Sequence, residues 1–189
     1  MLSFATVHAL TGRLLAADAS APSGSWGAPA SLLLIQDRAV HAHDPGLRAI
    51  RAVPVSLAGA ETTARPGGLP GILHQVAAAL SGNTPPLQGV DLDVIAAHLT
   101  EPVPELRLLG WAVRYDDVHT DDGDVYPVGR VDAVDIDGRV YQLTRLGGEA
   151  HPVVVLDEEP DPDDLPATQP GLAALVAATR PISAGQARA

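Results

Sequence analysis

Apolar and polar residues alternate most clearly between positions 106 and 157, where the pattern predicts an antiparallel β-meander. In its first strand the large apolar side chains of Leu109, Trp111 and Val113 fall on one side, and Arg114 falls on the other. Most of the aromatic residues of the chain lie in the same stretch. The best-defined part of the hydrophobic core is therefore expected in the second half of the chain.

A strong hairpin signal, Asp137-Gly138, lies inside this meander. Such a pair favours a two-residue type I′ turn, because both positions of that turn need positive φ. A two-residue loop predicts that Arg130 lies directly opposite Arg145, with Asp132 on the same face of the sheet.

The last strand of the meander, Val153–Leu156, has no polar alternation, and we interpret it as a strand covered on both faces. Residues 158–169 are acidic and rich in proline, which is typical of an exposed connector.

Three helices are predicted, over residues 69–81, 91–100 and 170–179. Pro70 suits the first turn of the first helix, Asp91 suits the N-cap of the second, and Pro181 is expected to end the third. Residues 1–19 fit either a helix or two strands joined by a turn, so both alternatives remain open.

Three further strands are predicted before the helices. Leu32–Ile35 is expected to turn at 36–38 into a second strand, and residues 47–57 form another, which Pro54 assigns to a sheet edge. These strands extend the meander or form a second sheet. The predicted fold class is α+β. The chain is expected to form one domain over 1–189, with a possible subdomain boundary near 82–90 and a frayed tail at 183–189.

Composition narrows the function classes. The formal net charge is −11, from 23 acidic residues against 12 basic ones, all of them arginine. The exclusive use of arginine indicates a high-GC, bacterial genome. The excess of acidic residues argues against nucleic acid as a partner, since its phosphates would be repelled. There is no cysteine, which excludes disulfides and thiolate chemistry. Without a long apolar run or a basic leader, the sequence predicts no membrane association and a cytoplasmic protein.

The first candidate site is an anion site at Arg130, Arg145 and Asp132. Two arginines placed opposite each other repel unless a negative group lies between them, and guanidinium groups bind carboxylate or phosphate in bidentate fashion. The alternative is that Asp132 and the acidic loop neutralise both arginines as ordinary surface ion pairs.

The second candidate is a metal site at His41, His43 and Asp44. An H-x-H pair on a strand places two imidazoles on the same side, close enough to share an ion. The alternative is a pair of exposed histidines at a strand end. The acidic stretch 116–124 does not fit an EF-hand loop, and the sequence contains neither a P-loop nor a G-x-S-x-G motif.

These patterns favour a non-catalytic protein-binding or regulatory module without a cofactor. It would recognise another protein, or a second copy of itself as a homodimer, through a sheet face or the acidic loops. The alternative is a small metal-dependent hydrolase or transferase that uses His41 and His43.

Overall fold

The computed structural model describes residues 1–20, 27–41, 44–57, 67–85, 87–101, 106–121 and 124–186. The strands are β1 (Ser31–His41), β2 (Asp44–Ser56), β3 (Arg107–Asp121), β4 (Asp124–Asp135), β5 (Val140–Leu146) and β6 (Val153–Asp157). The helices are α1 (Phe4–Ala19), α2 (Gly68–Leu80), α3 (Leu92–Leu99) and α4 (Gln169–Gln186), and Pro162–Asp164 forms a short 3-10 helix.

All six strands form one antiparallel sheet in the order β2-β1-β3-β4-β5-β6. The α+β class predicted from the sequence is confirmed. The β1-β2 hairpin joins the meander through β1, so the N-terminal strands extend the sheet. The structure contains a fourth helix, α1, in the segment where helix and strand both fitted the pattern.

The sheet is covered on both faces, and alternate residues of one strand enter different cores. Leu33 and Ile35 pack with Val7, Leu10 and Leu14 of α1. Leu32 and Leu34 pack on the opposite side in a larger cluster that includes α2, α3 and α4. Since side chains of a strand alternate between faces, the unbroken apolar run of β1 is explained by this three-layer arrangement.

Polar contacts hold helix α4 on the sheet at its N-terminus and in its second half. The Thr168 hydroxyl donates to Asp132 Oδ2 at 2.6 Å, and Tyr115 donates to the same oxygen at 2.7 Å. Eleven residues further along, Trp111 Nε1 donates to Thr179 Oγ1 at 3.1 Å. Every one of these groups would be costly to bury alone, so the contacts fix the position of the helix.

The predicted two-residue turn at Asp137-Gly138 is wrong. Asp135 N donates to Arg139 O at 3.2 Å and Gly138 N donates to Asp135 O at 3.0 Å, so the loop has three residues, with Gly138 at φ +92°. The Asp135 carboxylate accepts from the N–H groups of Asp137 and Arg139, at 2.8 and 3.1 Å, which stabilises the longer loop.

The register of β4 and β5 therefore differs by one residue from the prediction. Arg130 lies opposite Thr144, and Arg145 lies opposite Gly129. A shift of one residue moves side chains to the other face of a strand, so Arg130 and Arg145 lie on opposite faces of the sheet.

The structure corrects two further predictions, one of a turn after Ile35 and one of a helix end at Pro181. Strand β1 continues through residues 36–38, where a turn was expected, because neighbours satisfy its polar groups. Gln36 Nε2 donates to His98 O at 2.9 Å, and Arg48 Nε donates to Asp37 at 2.8 Å. Helix α4 continues through Pro181 to Gln186, since a proline removes one backbone donor without preventing helix beyond it.

Replacing Thr179 with valine tests the polar link between α4 and the sheet. Valine keeps the shape of the side chain but leaves the buried Trp111 N–H without its acceptor, so the unfolding free energy should fall by about 1–3 kcal/mol. Urea denaturation measures it, and Thr179→Ser, which keeps the hydroxyl, is the matched control. Equal stability of Thr179→Val and the wild type would contradict this role.

Candidate functional site

Strand β6 forms one edge of the sheet, and its apolar residues are exposed. Val153 and Val155 are 67% and 50% exposed, and Val154 and Leu156 are each 37% exposed. The prediction that this strand is covered on both faces is wrong, because neither helical layer covers it. An apolar run without alternation fits a buried strand and a bare edge equally well, so the sequence could not separate the two.

The pairing with β5 assigns each of these side chains to a face. Val154 and Leu156 lie opposite Leu143 and Tyr141, whose side chains enter the core beneath α1. Val153 and Val155 lie opposite Thr144 and Gln142, on the face that carries α4. In the described part of the chain no strand pairs with the outer side of β6. The edge thus combines unpaired backbone groups with apolar side chains on both faces.

Charged residues occur only at the ends of this edge. His151 and Pro152 precede the strand, and Asp157, Glu158 and Glu159 close or follow it. Edge strands that avoid association usually carry charges or proline inside the strand. Positions 153–156 of β6 carry neither.

The predicted anion site is not assembled. Arg130 Nε lies 2.8 Å from Asp117 Oδ2, although this ion pair lacks the geometry of a hydrogen bond. Arg145 Nε lies 3.3 Å from Asp18 Oδ2 on the other face. Asp132 shares the face of Arg130, but the hydroxyls of Tyr115 and Thr168 already occupy its carboxylate. The structure brings Asp132 near Arg130 and separates both from Arg145.

Asp18 is a buried acid that the sequence analysis did not single out. It is 4% exposed, and burial raises its pKa, although the positive charges of Arg145 and Arg114 act in the opposite direction. Leu10, Leu14 and Asp18 follow each other at intervals of four on the buried side of α1. That spacing was readable once the helix was assigned, and it is the signal by which this acid could have been found.

Tyrosine hydroxyls occupy the two buried carboxylates of β4. Burial, followed by the nearby Asp132 charge, raises the pKa of Tyr115, and burial with Asp135 does the same for Tyr141. The Tyr141 hydroxyl donates to Asp135 Oδ2 at 2.9 Å. A phenol with a raised pKa that donates to a carboxylate is a poor nucleophile or base, so these pairs support the core rather than chemistry.

The predicted metal ligands lie largely outside the described residues. Asp44 is opposite His41 in the β1-β2 pairing. His43 and the side chains of His41 and Asp44 are not among the parts that the structure describes. Within the described residues, no three or more His, Asp or Glu side chains are grouped so that they could hold a metal ion. The metal site at these positions stays a prediction.

Comparisons with protein-family models, curated proteins and solved structures found no match to this chain. No helix among the described residues is both long enough and apolar enough to cross a membrane. The functional argument therefore depends on the geometry of β6 and of the face beneath α1.

The contribution of Asp132 to the free energy of unfolding should decrease as the pH rises. Burial raises its pKa above the ordinary value, 3.8, although the hydroxyls of Thr168 and Tyr115 oppose the shift. The folded state therefore takes up this proton more readily than the unfolded chain. The resulting stabilisation is present below the unfolded pKa and is lost as the pH rises through the folded pKa.

Asp132→Asn should therefore gain stability relative to the wild type as the pH is raised from below 3.8 towards neutrality. Urea denaturation at several pH values gives the difference directly, and Asp164→Asn, at an exposed position, is the matched control. A difference between Asp132→Asn and the wild type that is constant with pH, or that changes in the other direction, would contradict the assignment.

Proposed function

We propose that this chain is a non-catalytic protein-binding module that acts by adding a strand to β6, and that a second copy of the chain supplies the strand. The observation that carries the proposal is the edge itself. It has four consecutive exposed apolar side chains on a strand whose outer side pairs with no described strand. Strand addition would pair its free backbone groups and bury apolar surface in one step.

The opposite edge of the sheet supports this assignment by contrast. Strand β2 carries Arg48, Arg51 and Pro54 along its length. Charge and proline inside a strand protect an edge from pairing, and β6 lacks both between Val153 and Leu156. Of the two edges, only β6 has the composition of an interface.

A second copy is favoured because β6 is complementary to itself. In an antiparallel pair centred on Val154, Val153 lies opposite Val155 of the second copy, and Pro152 lies opposite its Leu156. His151 then lies opposite the acidic Asp157. Each apolar residue meets an apolar residue, and the imidazole meets a carboxylate, which attracts it when protonated.

The neighbouring register is less favourable. Centred on Val155, it would place Val153 opposite Asp157 and so bring a carboxylate against an apolar side chain. Cross-strand pairs differ in free energy by about 0.2–1 kcal/mol each, and the two-fold axis repeats every off-axis pair. The register centred on Val154 is therefore the one we propose.

The contacts of the described acids and tyrosines support a role without catalysis. Asp132 and Asp135 are occupied by hydroxyl and backbone donors, and Asp18 is paired with Arg145. Catalysis needs polar groups that converge on an open space. No contact of the described residues favours the alternative of a metal-dependent hydrolase or transferase at His41 and His43.

Single cysteines test the proposed register, because the natural chain contains none. In the pair centred on Val154, a cysteine at 154 faces its own copy at about 4.5–5.5 Å between Cα atoms, which a disulfide can span. A cysteine at 155 lies diagonally from its copy at about 7–8 Å, beyond that reach. Mild oxidation should therefore cross-link Val154→Cys and leave Val155→Cys monomeric on a non-reducing gel.

Light scattering on the cysteine-free protein provides the control. The wild type should have twice the 19.5 kDa mass of one chain. Val155→Lys should reduce this to one chain, whereas Val125→Lys, at an exposed valine of β4 away from the edge, should not. A wild-type protein that stays monomeric at high micromolar concentration would contradict the proposal, and cross-linking of Val155→Cys alone would contradict the register.

A further inference from the structure

An open groove lies between the C-terminal half of α1 and the strands beneath it, with a cavity volume of about 270 Å³. Arg13, Arg114, Ser20 and Ser31 contribute its polar groups, and Leu33, Ala52 and Pro54 are among its apolar walls. It lies away from β6, since strands β3, β4 and β5 separate β1 from that edge.

Two arginines in this groove have unused donors. A third arginine, Arg145, does not line the groove and is paired with Asp18, at 3.3 Å between Arg145 Nε and Asp18 Oδ2. Arg114 interacts with the Asp18 carboxylate electrostatically without forming an ion pair, and it lowers the pKa of Asp18 less than Arg145 does. The guanidinium groups of Arg13 and Arg114 form no ion pair or hydrogen bond with a described residue. The guanidinium groups are therefore available to an anion.

The two serines differ in what they can offer. The Ser20 hydroxyl donates to Ala17 O at 2.8 Å, so its proton is already used. The Ser31 hydroxyl forms no hydrogen bond with a described residue, so it can donate to an anion. Together with the two guanidinium groups it provides three side chains that can donate to an anion.

The walls of the groove indicate what else the ligand contains. Leu33 is buried, and Ala52 and Pro54 of the edge strand β2 continue the apolar surface outward. A fully hydrated ion such as free phosphate would gain nothing from that surface, whereas an alkyl chain would. The volume lies just below the usual range for ligand pockets, about 300–1,000 Å³, and so suits only a small molecule.

We infer that this groove binds a small amphipathic carboxylate, with the carboxylate on Arg13, Arg114 and Ser31 and a short alkyl chain against Leu33, Ala52 and Pro54. A formal charge of −11 repels anions from the protein as a whole, so the local pair of arginines sets where such a ligand binds.

Hexanoate is the probe, titrated into the wild-type protein and followed by residue-specific NMR shifts. We expect saturable shifts at Ser31, Leu33 and Arg114. Affinity should fall about tenfold or more in Arg114→Gln and in Arg13→Gln, the loss associated with a charge-assisted hydrogen bond. Arg51→Gln removes the same charge from β2, at a position facing away from Ala52 and Pro54, and should bind like the wild type.

Two further probes test the carboxylate and the alkyl chain separately: hexanol has only the alkyl chain, and inorganic phosphate has only the negative charge. Each should bind at least tenfold more weakly than hexanoate, since each lacks one of the two recognised parts. Phosphate binding as tight as hexanoate would overturn the assignment to an amphipathic carboxylate. Arg13 is exposed on α1, so Arg13→Gln should not affect folding. Equal affinity of hexanoate for this variant and for the wild type would overturn the site. Shifts that do not saturate would overturn it as well.

Discussion

The three-residue loop Ile136–Gly138 determines which face of the sheet each residue of β5 occupies relative to β4. The Asp135 carboxylate holds this loop through two backbone N–H groups, and Gly138 supplies the left-handed conformation that closes it. With a loop one residue shorter, the side chains of β5 would change faces. The pairing of Arg145 with Asp18 on one face, and its separation from Arg130 on the other, follow from this register.

The sheet is covered by helices in the middle and exposed at the edge formed by β6. Helix α1 covers one face and α4 is anchored to the other through Asp132 and Trp111, but β6 lies outside both layers. An exposed, uncharged valine strand is a hazard for a protein that remains alone, because its free backbone groups can pair with any strand. We propose that its self-complementary order turns that hazard into a defined interface, with His151 and Asp157 limiting the register.

Much of the fold was predictable because local signals agreed with each other. The meander, helices α2 and α3, and the Asp91 N-cap, which accepts from Val94 N at 3.0 Å, were readable from spacing and capping chemistry. The register of β4 and β5 was not, since an Asp-Gly pair fits loops of two or three residues and the side chain of Asp135 decides between them. The site at β6 was missed for a different reason: an apolar strand does not reveal in its own sequence whether anything covers it.

Hydrogen exchange at β6, measured as a function of protein concentration, tests the central claim most directly. Backbone amides on the outer side of Val153–Asp157 should be protected at high concentration and should exchange faster on dilution, while the amides of the edge strand β2 should not change. Fast exchange of the outer β6 amides at every concentration would contradict the account, because it would show that nothing pairs with this edge.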